Sequence, residues 1–352
     1  MSATSIPSLA GRVLLVGLAG PELSARSEQR LRALDPAGVT LFDRNLESPR
    51  QTATLLNGIT ALLTHAPLLA LDQEGGRVSR LRHWVGETPT AVDLAGSDAD
   101  ATRQFALATG GALRALGFNV DFAPVVDLCA PAAMNGIGDR SFGTDPEQVT
   151  RLAGQFLEGL RAAGVAGCLK HFPGLGDTVV DSHLELPIVR RSRVQLERED
   201  LLPYLRLGPG ADSVMVGHGY YPAFDPVAPI PATCSSRIVR DLLRTELGFD
   251  GLVISDDLEM GAASAFDRDG AAAVQALRAG CDLLLYCSDL DRAEAAAGAL
   301  TAAAEREPDF RARLAEAAER VDRMARRWSA PRDGLDGWDQ ARRALARFDP
   351  LS

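Results

Sequence analysis

The sequence predicts an α/β fold of the TIM type, a (β/α)8 barrel with extra C-terminal helices packed outside. Three observations lead there. Eight short runs are apolar nearly throughout rather than alternating, as strands buried on both faces of a parallel sheet are. Longer amphipathic segments separate them, so strand and helix alternate along the chain. Several of the runs end in charged residues, and the C-terminal strand ends are where such barrels carry chemistry. An open doubly wound sheet is the other arrangement of the same units.

The predicted strands are VLLVGL (13–18), GVTLF (38–42), LLALD (68–72), NVDFAPVVD (119–127), AGCLKH (166–171), SVMVGH (213–218), GLVISDD (251–257) and CDLLLYC (281–287). Between them, SPRQTATLLNGITALLTH opens on a serine cap signal and repeats apolar residues at helical spacing. ATRQFALATGGALRALG, PEQVTRLAGQFLEGLRAAG and SSRIVRDLLRTELG have the same spacing and end in glycine, a common helix stop. AAAVQALRAG and RAEAAAGALTAAAER complete the alternation, and RARLAEAAERVDRMARRW starts a helical extension over about 307–352. No internal repeat or low-complexity linker divides the chain, so residues 1–352 are expected to form a single catalytic domain.

Composition narrows the function. A net charge of −10 argues against a general polyanion binder, so no nucleic-acid partner is expected. The cysteines number five, and no two have C-x-x-C spacing, which argues against a disulfide scaffold or a structural zinc site. They are expected to be small apolar fillers. The apolar run from Val13 to Leu18 is too short for a signal peptide, and no run approaches the ~20 residues of a membrane span. The expected location is the cytoplasm. No ligand cluster points to a metal, and no organic cofactor is called for.

The polar residues that could do chemistry collect where strands end. LLALD runs into Asp72-Gln73-Glu74-Gly75-Gly76-Arg77-Val78-Ser79-Arg80. The fifth strand runs into Lys170-His171-Phe172-Pro173-Gly174, the sixth ends at His218, and the seventh at Ser255-Asp256-Asp257. A charge closing one apolar run is often a cap or salt bridge, but four such ends in register point to a site. The segment KHFPGLGDTVVDSHLELP (170–187) is long for a strand-to-helix connection and holds two glycines and two prolines, as a functional lid does. Within it, Asp181 precedes His183 by two residues, and a carboxylate beside an imidazole raises its pKa into the range of a general acid. Asp177 and Glu185, in the same segment, offer carboxylic acids for that role.

KHFPGxGDTxxDSHxxLP, together with DQEGGRVSR, GDRSFG and VISDDLEMGA, resembles family-3 glycoside hydrolases, in particular the single-domain bacterial β-N-acetylglucosaminidases of peptidoglycan recycling. The resemblance runs from about Val13 to about Tyr286. It implies that Asp256 is the nucleophile, His183 the acid/base and Asp181 its partner. It implies that Asp72, Arg80, Arg140, Lys170 and His171 hold the sugar. It further implies retention of configuration through a covalent intermediate, with N-acetylglucosamine-containing muropeptide fragments as substrate. One position departs from the family pattern: the histidine usual between the two lid glycines is Leu175 here.

Other positions are expected to be structural. Asp257 should cap the following helix or orient cations, Glu74 and Arg77 should fix the glycine-rich turn, and Asp127 and Asp139 should organise the loop that presents Arg140. His218 is equally a pocket residue or a satisfied barrel-end histidine. Three other functions fit parts of the pattern: a phosphorylase on the same scaffold, a Schiff-base aldolase using Lys170, and a sugar-binding protein without turnover.

Overall fold

The structure is a computed structural model. It describes residues 5–349 apart from 98, 134, 177, 179–185, 228, 265–266 and 330–334.

Each of the eight predicted runs contains a strand. In chain order the strands are β1 (Leu14–Gly17), β2 (Gly38–Thr40), β3 (Leu68–Leu71), β4 (Gln73–Gly75), β5 (Val78–Ser79), β6 (Val120–Asp121), β7 (Cys168–Phe172), β8 (Ser213–Val216), β9 (Leu252–Asp257) and β10 (Leu283–Tyr286). All but β4 and β5 form one parallel sheet in the order β6-β3-β2-β1-β10-β9-β8-β7. Its two ends meet through parallel bridges, Val120 with Ala166 and Val125 with Lys170, so the sheet curls into a nearly closed TIM-type barrel. Most strands are shorter than their apolar runs, whereas β7 and β9 continue to or past the run's last residue, carrying Lys170, His171 and Asp256 on the strand itself. β4 and β5 form a small antiparallel hairpin where a glycine-rich turn was expected.

The helices follow the expected spacing. Ser48 caps Pro49–Leu62 by accepting the backbone N–H of Gln51, and Asp145 caps Pro146–Ala162 through that of Glu147. Ala99–Leu116 and Ala271–Ala279 follow their predicted segments. Arg237–Glu246 is helical but wound more widely, with Leu247 N–H reaching back to Leu242 C=O.

Two apolar clusters organise the molecule. One lies between the strands and the surrounding helices. The other fills the barrel, with Leu15, Leu68, Ala70, Val120, Phe122, Ile254 and Leu285 all buried. The C-terminal extension contributes to the second cluster. Helix Pro308–Arg327 runs outside the strands, but Val321, Met324, Ala325 and the following Trp328 close the barrel's N-terminal end. Its arginines hold it there: Arg313 donates to Cys281 C=O at 2.6 Å, Arg320 donates to Asp250 C=O at 2.6 Å, and Arg327 lies 3.3 Å from Asp212. Those partners precede β10, β9 and β8 respectively. With that end plugged, the C-terminal end is the open one. None of the described helices is long and apolar enough to cross a membrane.

Candidate active site

The C-terminal strand ends enclose a cavity of about 290 Å³. Asp72, Arg80, Arg140, Lys170, His171 and Asp256, all singled out in the sequence, line it. Asp181 and His183 lie outside the described residues, as do Asp177 and Glu185.

Asp72 directly follows β3, and Glu74 stands two residues further on. Lys170, on β7, places its Nζ 2.7 Å from Asp72 Oδ1 and 2.6 Å from Glu74 Oε1. Arg140 grips Glu74 with both sides of its fork, Nε to Oε2 at 2.7 Å and Nη2 to Oε1 at 2.8 Å. Burial opposes charge on both Glu74 and Lys170. The cations Arg140 and Lys170 nonetheless hold the Glu74 carboxyl well below the usual carboxylate range. Asp72 and Glu74 in turn hold the Lys170 ammonium above its ordinary value. A buried ammonium between two carboxylates stays protonated, so Lys170 is no free amine for a Schiff base. Arg80 stacks over Phe42, 3.3 Å from Asp43 and 3.8 Å from Asp72.

Glu74 therefore does more than fix a turn, and sequence reasoning missed its part in the cavity. The signal was the spacing: in extended backbone, residues two apart face the same side, so Glu74 faces the way Asp72 does. Arg77 also lines the cavity, and it ties the turn to the Arg140 loop, donating to Asp139 at 2.7 Å and to Gly136 C=O at 2.6 Å.

Asp127 was expected to organise the Arg140 loop. Its carboxylate instead serves the lid base, accepting from the His171 ring at 2.7 Å and from the backbone N–H of Leu175 at 2.7 Å. Only its backbone carbonyl reaches the other loop, through Ser141 Oγ–H at 2.6 Å. Like the residues that were chosen, Asp127 closes an apolar run, so the same criterion applied to the fourth strand would have found it.

The lid leaves β7 through Gly174, whose φ of 126° suits glycine. Gly176 follows, where an added Cβ would lie 1.8 Å from Leu128 C=O. Between them Leu175 is 4% exposed and lines the cavity, its methyls against Gly217 and Gly219. A hydrophobic wall thus stands where the family pattern has an imidazole.

The carboxylates at the end of β9 differ. Burial opposes ionisation of Asp256, but the nearby histidines 218 and 171, the Asp257 N–H at 2.8 Å and Lys170 together hold its pKa below the ordinary value. Asp257 is pushed up to about 6, chiefly by burial. Its carboxylate accepts the backbone N–H of Glu259 at 3.0 Å and of Cys287 at 3.3 Å, both outside the following helix Gly261–Ser264, so it ties the turn after β9 to the end of β10 rather than capping that helix. His218 is buried and donates from Nε2 to the Asp257 carbonyl at 2.8 Å. It is the satisfied barrel-end histidine, and it pins the backbone that carries Asp256.

An ionised carboxylate thus shares a small cavity with fixed hydrogen-bond donors and acceptors suited to vicinal hydroxyls. That arrangement fits a pocket for one sugar ring.

The glycosyl hydrolase family 3 N-terminal domain matches residues 12–324. A beta-hexosaminidase from Stenotrophomonas maltophilia (strain R551-3) is 40% identical over 283 residues, 78% of this chain and 83% of that protein. Among solved structures, a family 3 beta-N-acetylglucosaminidase from Paenibacillus sp. str. FPU-7 superposes with a TM-score of 0.89 at 36% identity, over 98% of this chain and 68% of that one. A beta-N-acetylhexosaminidase from Beutenbergia cavernae DSM 12333 superposes with a TM-score of 0.85 at 31% identity, over 92% of this chain and 99% of that one. With the match spanning nearly the whole barrel, the chain belongs to glycosyl hydrolase family 3 and is a glycosidase.

Proposed function

We propose that this glycosidase removes terminal non-reducing β-linked N-acetylglucosamine through a covalent glycosyl-enzyme on Asp256, with His183 as acid/base. The observation that carries the reading is the state of Asp256. It is a carboxylate held in its charged form at the wall of a one-ring cavity, as a nucleophile must be. The names of the relatives support the glycone.

In the first step Asp256 attacks the anomeric carbon while His183 protonates the departing glycosidic oxygen. In the second, water attacks that carbon, His183 takes its proton, and the bond to Asp256 breaks. Two displacements retain the β configuration. Asp181 stabilises the imidazolium without itself taking up the proton. Asp72, Arg80, Arg140, Lys170 and His171 hold the ring hydroxyls, with Asp72 accepting and the cations donating. The physiological substrates would be peptidoglycan fragments such as N-acetylglucosaminyl-anhydro-N-acetylmuramic acid, with or without peptide, met in the cytoplasm. The chain would work as one catalytic unit.

The test is release of nitrophenol from 4-nitrophenyl β-N-acetylglucosaminide, with and without phosphate, together with product analysis. Phosphate-independent release of N-acetylglucosamine supports the reading. A requirement for phosphate, with sugar 1-phosphate as product, moves the enzyme to the phosphorylases. No turnover in either buffer overturns the glycone.

A further inference from the structure

Asp72, Glu74, Lys170 and Arg140 form one connected group with two charges of each sign. Lys170 and Glu74 are almost entirely buried, so solvent screens this group weakly. Glu74 accepts three donors: Oε1 takes Lys170 Nζ and Arg140 Nη2, and Oε2 takes Arg140 Nε. The remaining Arg140 nitrogen, Nη1, donates to Gly136 C=O at 3.1 Å. Every nitrogen of the guanidinium is thus directed by a fixed partner, and Glu74 supplies most of the restraint.

We propose that Glu74 is a positioning residue for the sugar pocket. It holds Lys170 and Arg140 in register with Asp72, and it cancels their charge so that the pocket takes a neutral ring rather than an anion. The proposal rests on reading the cavity as a sugar site. A glutamine at this position has one acceptor oxygen and presents an NH₂ to a donor of Arg140. The four-residue group would then carry one uncompensated positive charge.

Glu74→Gln and Glu74→Asp, each beside the unaltered enzyme, test this. The readouts are kcat and KM on 4-nitrophenyl β-N-acetylglucosaminide, and inorganic phosphate binding by calorimetry at fixed ionic strength. In Glu74→Gln, kcat/KM falls about 100-fold, the scale of breaking a buried ion pair. Phosphate binds about 10-fold more tightly, the effect of one unmatched charge at low effective dielectric. In Glu74→Asp the charge is kept and the reach shortened, so phosphate affinity stays within about threefold while kcat/KM still falls. Unchanged phosphate affinity in Glu74→Gln overturns the proposal even if turnover drops, because a purely structural role lowers activity without attracting anions. Should Glu74→Gln fail to fold, wild-type kcat/KM in Glu74→Asp overturns it. An unaltered enzyme that does not turn over the glycoside sinks the substrate reading instead, and calorimetry still decides on Glu74.

Discussion

Asp127 accepts both polar hydrogens of His171 on one oxygen, the ring Nδ1–H at 2.7 Å and the backbone N–H at 3.2 Å. A carboxylate oxygen that accepts from both places a ring N–H on Nδ1, and the ring lines the cavity. Asp127→Asn offers an amide that can donate to Nδ1 and favour the other tautomer. The expected loss in kcat/KM is about 100-fold or more, by analogy with other carboxylate–imidazole pairs. Steady-state kinetics in a His171→Ala background checks the route. There Asp127→Asn should cost little more, and a further large loss would show that Asp127 acts elsewhere.

Asp256→Ala should reduce turnover by roughly 10⁴-fold or more on every glycoside, the scale of deleting a nucleophile. Stopped assays with aryl and disaccharide substrates measure it. Activity well above that level would assign the nucleophile to another carboxylate.

His183→Ala separates leaving groups. A general acid matters most where the departing oxygen is basic, so unactivated disaccharides should slow far more than nitrophenyl glycosides. A series of aryl glycosides with graded leaving-group pKa gives the slope. Equal losses across the series would remove His183 from the role and turn attention to Asp177 or Glu185.

Asp200, beside Arg191 at 2.6 Å, is pushed up to about 7. Burial dominates over the attraction of Arg191, while Asp127 and Glu199 add repulsion. The folded state therefore binds this proton more tightly than the unfolded chain does. Stability from this group is present below the unfolded value near 4 and is lost as pH rises toward 7, by at most about 4 kcal/mol. Asp200→Asn should flatten that fall and raise stability at pH 8. Urea unfolding at pH 5 and pH 8 checks it, and a variant that loses more stability at pH 8 than at pH 5 would refute the assignment.

The barrel was legible because strand burial on both faces writes itself as continuous apolar runs. The β4–β5 hairpin was not, because two- and three-residue strands leave no periodicity to read. Asp72, Lys170 and Asp256 were legible because a charge that closes an apolar run is costly unless something meets it. Glu74 and Asp127 carried local signals too, Glu74 two residues past the end of its run and Asp127 closing its own, but their partners, Arg140 at 66 residues and His171 at 44, are set only by the fold, as is Lys170 for Asp72 at 98.

By itself, the sequence determined the strand and helix alternation, the end of the barrel that carries chemistry, and the residue types there. All of these are local properties of burial and spacing. Only the tertiary structure decided which charges share a partner, why Asp256 is held charged while Asp257 is pushed up to about 6, and that helix Pro308–Arg327 and Trp328 plug the barrel. Those outcomes depend on distance and dielectric between segments far apart in the chain, and closure of the barrel sets both.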